Sequence, residues 1–454
     1  MATFSIENFG CRATEAAATA LRHQLLGSGL APAADHLSAD VVVLNTCTVT
    51  AAADSQARDA VRKIRRANPA ARIVVTGCYA QRAPEELAAL EGVAWVIGNA
   101  RQAEIPRVIR ELLGPDTNSS AGAALEENSL SLAQGPAKIL TGDMLAQDIL
   151  ASVAAPPGAS ATHDRTRPIL KIQDGCNNRC AYCVIPVVRG RSRSLPPDAV
   201  VEQVRGLVAA GAREIVLSGI NLGSYGRDLA PRAPLEAVVR RILNETALAQ
   251  LRFSSIEPQD ITEDFVALVA SSGRLARHFH VPLQSGSDRV LRAMHRWYRT
   301  GHYAERVQLI RRRLPDAAIG ADVIVGFPGE TREDFEATAA FIAQQPLTYL
   351  HVFSFSARPD TAAADPSDAV APGVIQERAR ALRALGREKS AAFRDALAGR
   401  TVRALTLKSG GDGWTDALTG NYLKLRMTGR HPANQWHELR LTAGAEDLVA
   451  ARPI

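Results

Sequence analysis

Gly175-Cys176-Asn177-Asn178-Arg179-Cys180-Ala181-Tyr182-Cys183 decides the reading of this 454-residue chain. Three thiols with C-x3-C-x2-C spacing fall on one short loop. A tetrahedral zinc site wants a fourth ligand close by, commonly from a second C-x2-C pair. No further Cys or His lies in this loop. Three thiolates suit a [4Fe–4S] cluster with one iron left open for a ligand. Two plainer readings stay open at this point: three cysteines packed as small core residues, and a zinc or redox dithiol site.

Outward from the loop, short apolar runs alternate with helix-like stretches. Ile169–Ile172, Glu214–Ser218, Leu251–Ile256, Phe279–Leu283, Ile319–Val325 and Tyr349–Phe355 read as strands. Polar or Gly-rich residues and then a helical stretch follow each of the first five. Six βα units suit a partial barrel with its chemistry in the loops after the strands. The cysteine loop follows the first of these strands.

This arrangement resembles the radical S-adenosylmethionine superfamily, over about Pro168 to Ser356. The resemblance implies that Cys176, Cys180 and Cys183 hold the cluster and that Tyr182 lies beside the adenine. It implies that Ser218, Gly219 and Asn221, in Ser218-Gly219-Ile220-Asn221-Leu222-Gly223-Ser224-Tyr225-Gly226, hold the methionine amino group, although a plain Gly-rich turn reads the same way. Glu257, after the third strand, is placed to accept ribose hydroxyls or the ammonium, or is simply solvated. Gln284, in Gln284-Ser285-Gly286-Ser287, is expected to face the cavity. Asp322 and Gly326-Phe327-Pro328-Gly329-Glu330 look like the superfamily's adenine-side turn. No Walker loop and no G-x-G-x-x-G after a strand is present.

Before the barrel, Phe4–Phe9, Val41–Leu44, Ile73–Val75 and Val93–Ile97 read as buried parallel strands, with helices such as Ser55–Ala67 between them. Cys11, Cys47 and Cys78 each sit just past a strand, about one βαβ unit apart. Parallel strands therefore deliver all three thiols to one carboxyl edge, where open α/β sheets bind ligands. A second cluster with an open iron follows, beside the blander reading of strand-end core cysteines. No cysteine follows Cys183, and core filler would scatter more evenly.

The chain divides into an N-terminal α/β domain (1–112), a Gly-, Pro- and Ser-punctuated linker (113–166), the barrel with a trailing basic helix (167–398) and a C-terminal β-domain (399–454). The last is read from alternating runs at Val402–Lys408, Tyr422–Met427 and His437–Leu441. That order is similar to the radical S-adenosylmethionine methylthiotransferase family. Asn45-Thr46-Cys47-Thr48-Val49-Thr50 and Thr76-Gly77-Cys78-Tyr79-Ala80-Gln81 look like the family's own segments. One departure is visible. The family usually has Asn or Gln and then an acidic stretch after the first Cys, where this chain reads Arg12-Ala13-Thr14-Glu15-Ala16.

The resemblance implies two [4Fe–4S] clusters, two uses of S-adenosylmethionine, and methylthiolation of a substrate carbon. Three family branches act on isopentenyladenosine in tRNA, on an Asp of a ribosomal protein, or on threonylcarbamoyladenosine in tRNA. The Ser218–Gly226 segment, Ser255-Ile256-Glu257-Pro258 and His351-Val352-Phe353-Ser354 look most like the third. The β-domain resembles the TRAM domain, a small RNA-binding barrel. A non-catalytic iron–sulfur RNA-binding protein is the alternative of another class.

A net charge of +6 is compatible with a polyanionic partner without requiring one. Arg189, Arg191 and Arg193, then Arg292, Arg296 and Arg299 around Trp297 and Tyr298, are candidate phosphate and base contacts. So are Lys408, Lys424, Arg426 and Arg430 beside Trp414 and Tyr422. Arg189 and Arg191 are the candidates for a carboxylate on the substrate. No run long enough to span a membrane and no secretory signal is seen. The expectation is a cytoplasmic monomer that works on the tRNA anticodon loop with an external electron donor.

Overall fold

A computed structural model describes residues 1–114, 137–145, 166–365, 367–442 and 449–453. Its N-terminal sheet is built from strands Thr3–Asn8, Ala31–Pro32, Val41–Thr46, Arg72–Gly77, Val93–Gly98 and Lys138–Leu140. All pairs are parallel. Side chains alternate across the sheet. Val42, Leu44, Ile73 and Val75 face one core, with Ala57, Val61 and Ile64 of helix Ala51–Ala67. Val41, Val43 and Val74 face another, with Leu21 and Leu25 of helix Arg12–Gly27. Both faces are covered, so every residue of Val41–Thr46 is buried and its first four read as a continuous apolar run. Truncating the fully buried Leu44 to Ala should cost about 2–5 kcal/mol.

In chain order of strands, the sheet runs second, first, third, fourth, fifth, sixth. The direction reverses between Thr3–Asn8 and Val41–Thr46, and their carboxyl ends flank a crevice. The sixth strand, Lys138–Leu140, comes from the stretch read as linker. It pairs with Val93–Gly98, so part of that stretch belongs to the first domain. The sequence signal missed it because three residues carry no periodicity.

The six barrel strands are Ile169–Lys171, Glu214–Ser218, Gln250–Phe253, His278–His280, Ala318–Val325 and Tyr349–Ser354. They form two three-stranded parallel sheets. Isolated bridges Leu251 to Leu275 and Ser255 to His280 join the two. The first and last strands do not pair, which leaves a lateral gap. The N-terminal domain covers it. Helix Arg12–Gly27 lies against Ile169–Lys171. On the other side Arg358 donates to Thr48 (3.2 Å) and to Asp54, both buried.

The C-terminal strands Thr401–Gly411, Trp414–Thr419, Lys424–Thr428, Trp436–Leu441 and Val449–Pro453 close into a barrel. Trp414–Thr419 and Val449–Pro453 were not legible as strands. The turn after Trp414–Thr419 docks at the amino ends of the large barrel's strands. Buried Arg252 pairs with Glu214 at 2.7 Å and donates to the carbonyls of Thr419 and Gly420, each at 3.0 Å. Among the described residues, no helix is long and apolar enough to cross a membrane.

Candidate cluster sites and the barrel lumen

The C-x3-C-x2-C loop is pinched at its base. Gln173 pairs with Ser194 and Asp174 with Arg193 in a short antiparallel ladder. Gly175 takes a positive φ of 71°, and a Cβ there would sit 1.9 Å from the Arg191 carbonyl oxygen. Only glycine fits. The Gln173 amide donates to the carbonyls of Asp174 (3.0 Å) and Gly175 (2.8 Å) and to Ser192 Oγ (2.9 Å). Its Oε1 accepts from the Asn221 backbone at 2.8 Å. Gln173 therefore ties the cluster loop to the loop after the second strand, a role that no spacing rule signalled.

Cys176, Cys180 and Cys183 are free thiols. Burial pushes Cys183 up to about 12, and the charges of Cys180 and Cys176 add to that. Burial also raises Cys176. Donors converge on the sulfurs. The Asn178 backbone lies 3.4 Å from Cys176 Sγ and Asn221 Nδ2 4.0 Å from it. Arg296 donates to Cys180 Sγ at 3.3 Å. Among the described residues, only His280, Asp322 and His351 place three ligand atoms all within 4.8 Å of one another. The cysteine triads are therefore more widely spaced.

Around this loop the expected residues divide. Tyr182 joins an apolar group with Ala181, Met294, Ile324, Phe327 and Phe355. Ser218 ends its strand fully buried. Gly219 abuts Gln173, where a Cβ would meet Oε1 at 2.8 Å. Asn221 is buried and its Oδ1 accepts no hydrogen bond within the protein, so an acceptor is left for an ammonium group. Glu257 is not a solvated carboxylate: it pairs with Arg296, and burial raises its pKa. Gln284 adopts a positive φ of 65° and bridges the strand that carries Asp322. Gly326 is different. Its positive φ of 79° and its hydrogen bond to Glu330 (2.7 Å) form a turn, and a Cβ there would strike Ile375. Its role is that of close packing under the helix Pro372–Asp395.

The first triad gathers at the crevice of the N-terminal sheet. Cys11 caps helix Arg12–Gly27, Cys47 follows Val41–Thr46, and Cys78 opens helix Cys78–Arg82. Gly10 lets Cys11 approach, since a Cβ on Gly10 would lie 2.8 Å from that of Cys47. Burial pushes Cys47 up to about 12, helped by Cys78, while Cys11 is exposed. Asn99 donates to Cys78 Sγ (3.6 Å) and to the Val188 carbonyl (2.8 Å).

That last contact joins the two triads. Helix Ile185–Arg189 follows Cys183 directly, and its Val188, with Val184, packs on Cys78. Arg189 lies buried between the sites with both Asp174 oxygens on its NH1, at 3.0 and 3.1 Å. Although burial opposes it, Arg189 and Lys171 hold the Asp174 carboxyl well below the usual carboxylate range. Arg189 is thus committed to a structural pair and is not free for a substrate carboxylate. Arg296 is likewise buried and paired, and Tyr298 is buried. Of that aromatic pair Trp297 stays available, 73 % exposed.

Below the cluster loop the lumen is polar. His280 Nε2 lies 2.9 Å and His351 Nδ1 3.2 Å from Asp322 Oδ1. Tyr349 Oη lies 2.8 Å from His278 Nε2 and 3.1 Å from His280 Nδ1. Tyr422, on the docking turn of the C-terminal barrel, stacks on His278 with centroids 4.1 Å apart.

Comparison with known proteins agrees with this geometry. The Radical SAM superfamily model matches residues 170–342. The model described as Uncharacterized protein family UPF0004 matches residues 3–98. The threonylcarbamoyladenosine tRNA methylthiotransferase MtaB of Aquifex aeolicus is 33 % identical over 94 % of this chain and 96 % of its own. Its Bacillus subtilis namesake is 36 % identical over 85 % and 80 %. The tRNA-2-methylthio-N(6)-dimethylallyladenosine synthase of Acidothermus cellulolyticus is 32 % identical over 97 % and 83 %. Among solved structures, the radical S-adenosylmethionine methyltransferase TsrM of Kitasatospora setae shares the fold, with a TM-score of 0.55 at 18 % identity over 80 % of this chain and 77 % of that one.

Proposed function

The chain belongs to the radical S-adenosylmethionine tRNA methylthiotransferase family, and within it we propose that this enzyme methylthiolates C2 of N6-threonylcarbamoyladenosine at position 37 of tRNA. Its cofactors are S-adenosylmethionine and two [4Fe–4S] clusters. Cys176, Cys180 and Cys183 would hold one cluster, and Cys11, Cys47 and Cys78 the other. When bound, these groups and two molecules of S-adenosylmethionine supply a carbon-centred radical, a sulfur atom and a methyl group. C2 of adenine is an aromatic C–H without an acidic proton, so radical chemistry suits it.

The observation that carries the chemistry of this reading is the juxtaposition of the two triads across helix Ile185–Arg189. One substrate in the lumen can reach both. The protein's own tasks are positional. Asn221 Oδ1, which has no partner in the protein, would accept from the ammonium of the methionine moiety, and the apolar group around Tyr182 would shelve the adenine. Arg296 holds Glu257 and Cys180 in one hydrogen-bonded unit. Exposed Trp297 offers a ring on which an unstacked anticodon-loop base can lie. The enzyme then works in the cytoplasm, where tRNA is modified.

The substrate assignment rests on the two MtaB relatives and on the segments that look like that branch. The Acidothermus synthase, of similar identity, makes isopentenyl-type tRNA the competing substrate. Reconstituted enzyme, S-adenosylmethionine and a reductant should be incubated with each hypomodified tRNA, and the nucleosides read by mass spectrometry. Methylthiolation of the threonylcarbamoyl tRNA is expected. Product on the isopentenyl tRNA alone overturns the substrate and leaves the chemistry intact.

A further inference from the structure

Arg12 follows Cys11 directly and reaches out of the N-terminal domain toward the lumen. Its guanidinium lies 3.5 Å from the hydroxyl of Tyr422, which belongs to the C-terminal barrel. The Tyr422 ring lies 5.8 Å from that of Tyr349, and Tyr349 lies 5.3 Å from His351, both on the last strand of the large barrel. Three domains thus meet at one half-buried cation.

The other arginines that line this region are committed. Arg189 pairs with Asp174, Arg252 and Arg167 with Glu214, Arg296 with Glu257, and Arg358 with Asp54. Arg12 pairs with no carboxylate among the described residues. Asp322, the carboxylate of the lumen, is already engaged by His280 and His351. The site therefore offers one uncommitted positive charge, flanked by phenol and imidazole groups that can donate hydrogen bonds. A half-buried cation has lost part of its hydration, and a ligand anion can take the place of the missing water.

Backbone strain points the same way. Tyr422 holds φ at 66°, a region that a bulky non-glycine residue enters rarely and under strain. The strain seats its ring on His278 with its hydroxyl toward Arg12.

We propose that Arg12, oriented by Tyr422 with Tyr349 beyond it, binds the carboxylate of the substrate's N6 substituent and so determines which modified adenosine the enzyme accepts. This rests on the substrate reading given above and transfers the carboxylate-binding role from Arg189 and Arg191 to Arg12. Arg189 is buried in its pair with Asp174, and Arg191 is exposed just past helix Ile185–Arg189. Arg12 adjoins Cys11, so a nucleobase with its reacting carbon toward the first triad has its substituent within reach of the guanidinium. An uncharged isopentenyl group would leave that cation unpaired, which is a means of rejection as well as of recognition.

The test compares binding of two anticodon stem-loop RNAs to the reconstituted enzyme by fluorescence anisotropy. One carries N6-threonylcarbamoyladenosine and the other its methyl ester, which removes the charge and adds one methyl group. The wild type should bind the acid about 10- to 100-fold more tightly, the range of a charge-assisted hydrogen bond. Arg12→Gln should bind both at the ester's affinity, Arg12→Lys should restore part of the preference, and Tyr422→Phe should lower it several-fold. Iron content and far-ultraviolet circular dichroism of each variant report intact folding, and Tyr422→Phe keeps the test decisive if Arg12→Gln does not fold. An unchanged preference for the acid in Arg12→Gln overturns the proposal. So does a wild type that binds both RNAs alike. If the wild type methylthiolates only isopentenyl tRNA, the substrate reading fails as well. If it methylthiolates threonylcarbamoyl tRNA while Arg12→Gln keeps its preference, Arg12 alone is wrong.

Discussion

The two cysteine triads reach similar ends by different means. Cys176, Cys180 and Cys183 share one loop closed at its base by Gln173 and Asp174 pairing with Arg193 and Ser194. Their geometry is local, and spacing nearly dictates it. Cys11, Cys47 and Cys78 come from three strand ends and meet only because parallel strands put their carboxyl ends on one edge. Their geometry belongs to the sheet. Disturbing the sheet should therefore unmake the first triad and spare the second. The reverse disturbance has to pass through Arg189 and helix Ile185–Arg189.

The strongest test of this division removes one triad at a time. Changing Cys176, Cys180 and Cys183 to Ala should lower bound iron from about eight to about four per chain and abolish cleavage of S-adenosylmethionine. Changing Cys11, Cys47 and Cys78 to Ala should also leave about four irons, retain cleavage to 5′-deoxyadenosine and stop methylthio transfer. If the second variant stays folded but loses all cleavage, the triads are not independent and the comparison breaks.

A smaller effect is expected at the joint between them. Arg189→Gln leaves Asp174 buried with one cation, Lys171, at 2.8 Å. Removing one member of a buried pair costs about 3–5 kcal/mol, so the melting temperature of the holoenzyme should fall by several degrees. Both sites should lose iron together, because Arg189 lies between Asp174 and the first triad. A loss confined to one site would mean that the joint does not couple them.

The mildest test needs no mutation. In metal-free protein, Cys47 is pushed up to about 12 by burial and by Cys78, while Cys11 is exposed. Only the thiolate reacts with iodoacetamide, and an ordinary cysteine titrates near 8.5. At pH 8 the thiolate fraction of Cys47 is about a thousandfold below that of an ordinary cysteine. Peptide mapping should show Cys11 alkylated first. Labelling of Cys47 should rise about tenfold per pH unit from pH 7 to 9, because it stays far below its pKa throughout that window. Equal labelling of Cys11 and Cys47 at pH 8 would mean that the first triad is open in the apoprotein.

The same contrast of local and distributed signals separates what was legible from what was not. The six barrel strands and four strands of the N-terminal sheet were readable because buried parallel strands are short apolar runs between turn residues. Lys138–Leu140 was not, since its neighbours carry no pattern and its pairing partner lies some 40 residues earlier. Trp414–Thr419 mixes polar and apolar residues because it closes a small barrel, and it escaped for that reason. The cysteines were legible by type and position as two candidate ligand sets. Gln173 and Asn99 were not, as an amide looks alike whether it clamps a site or faces water.

Charges mark the boundary most clearly. By itself the sequence determined where the thiols fall along the chain, the βα rhythm that carries three of them to one edge, and the number of cations available. Tertiary structure alone decided what each cation does. It buried Arg189 against Asp174, Arg296 against Glu257 and Arg358 against Asp54, and it left Arg12 beside Tyr422, a residue 410 positions away. The reason is physical. Period and spacing act over a few residues, whereas the partner of a buried charge is whichever opposite charge the packed chain brings within a few ångströms, and sequence distance has no bearing on that.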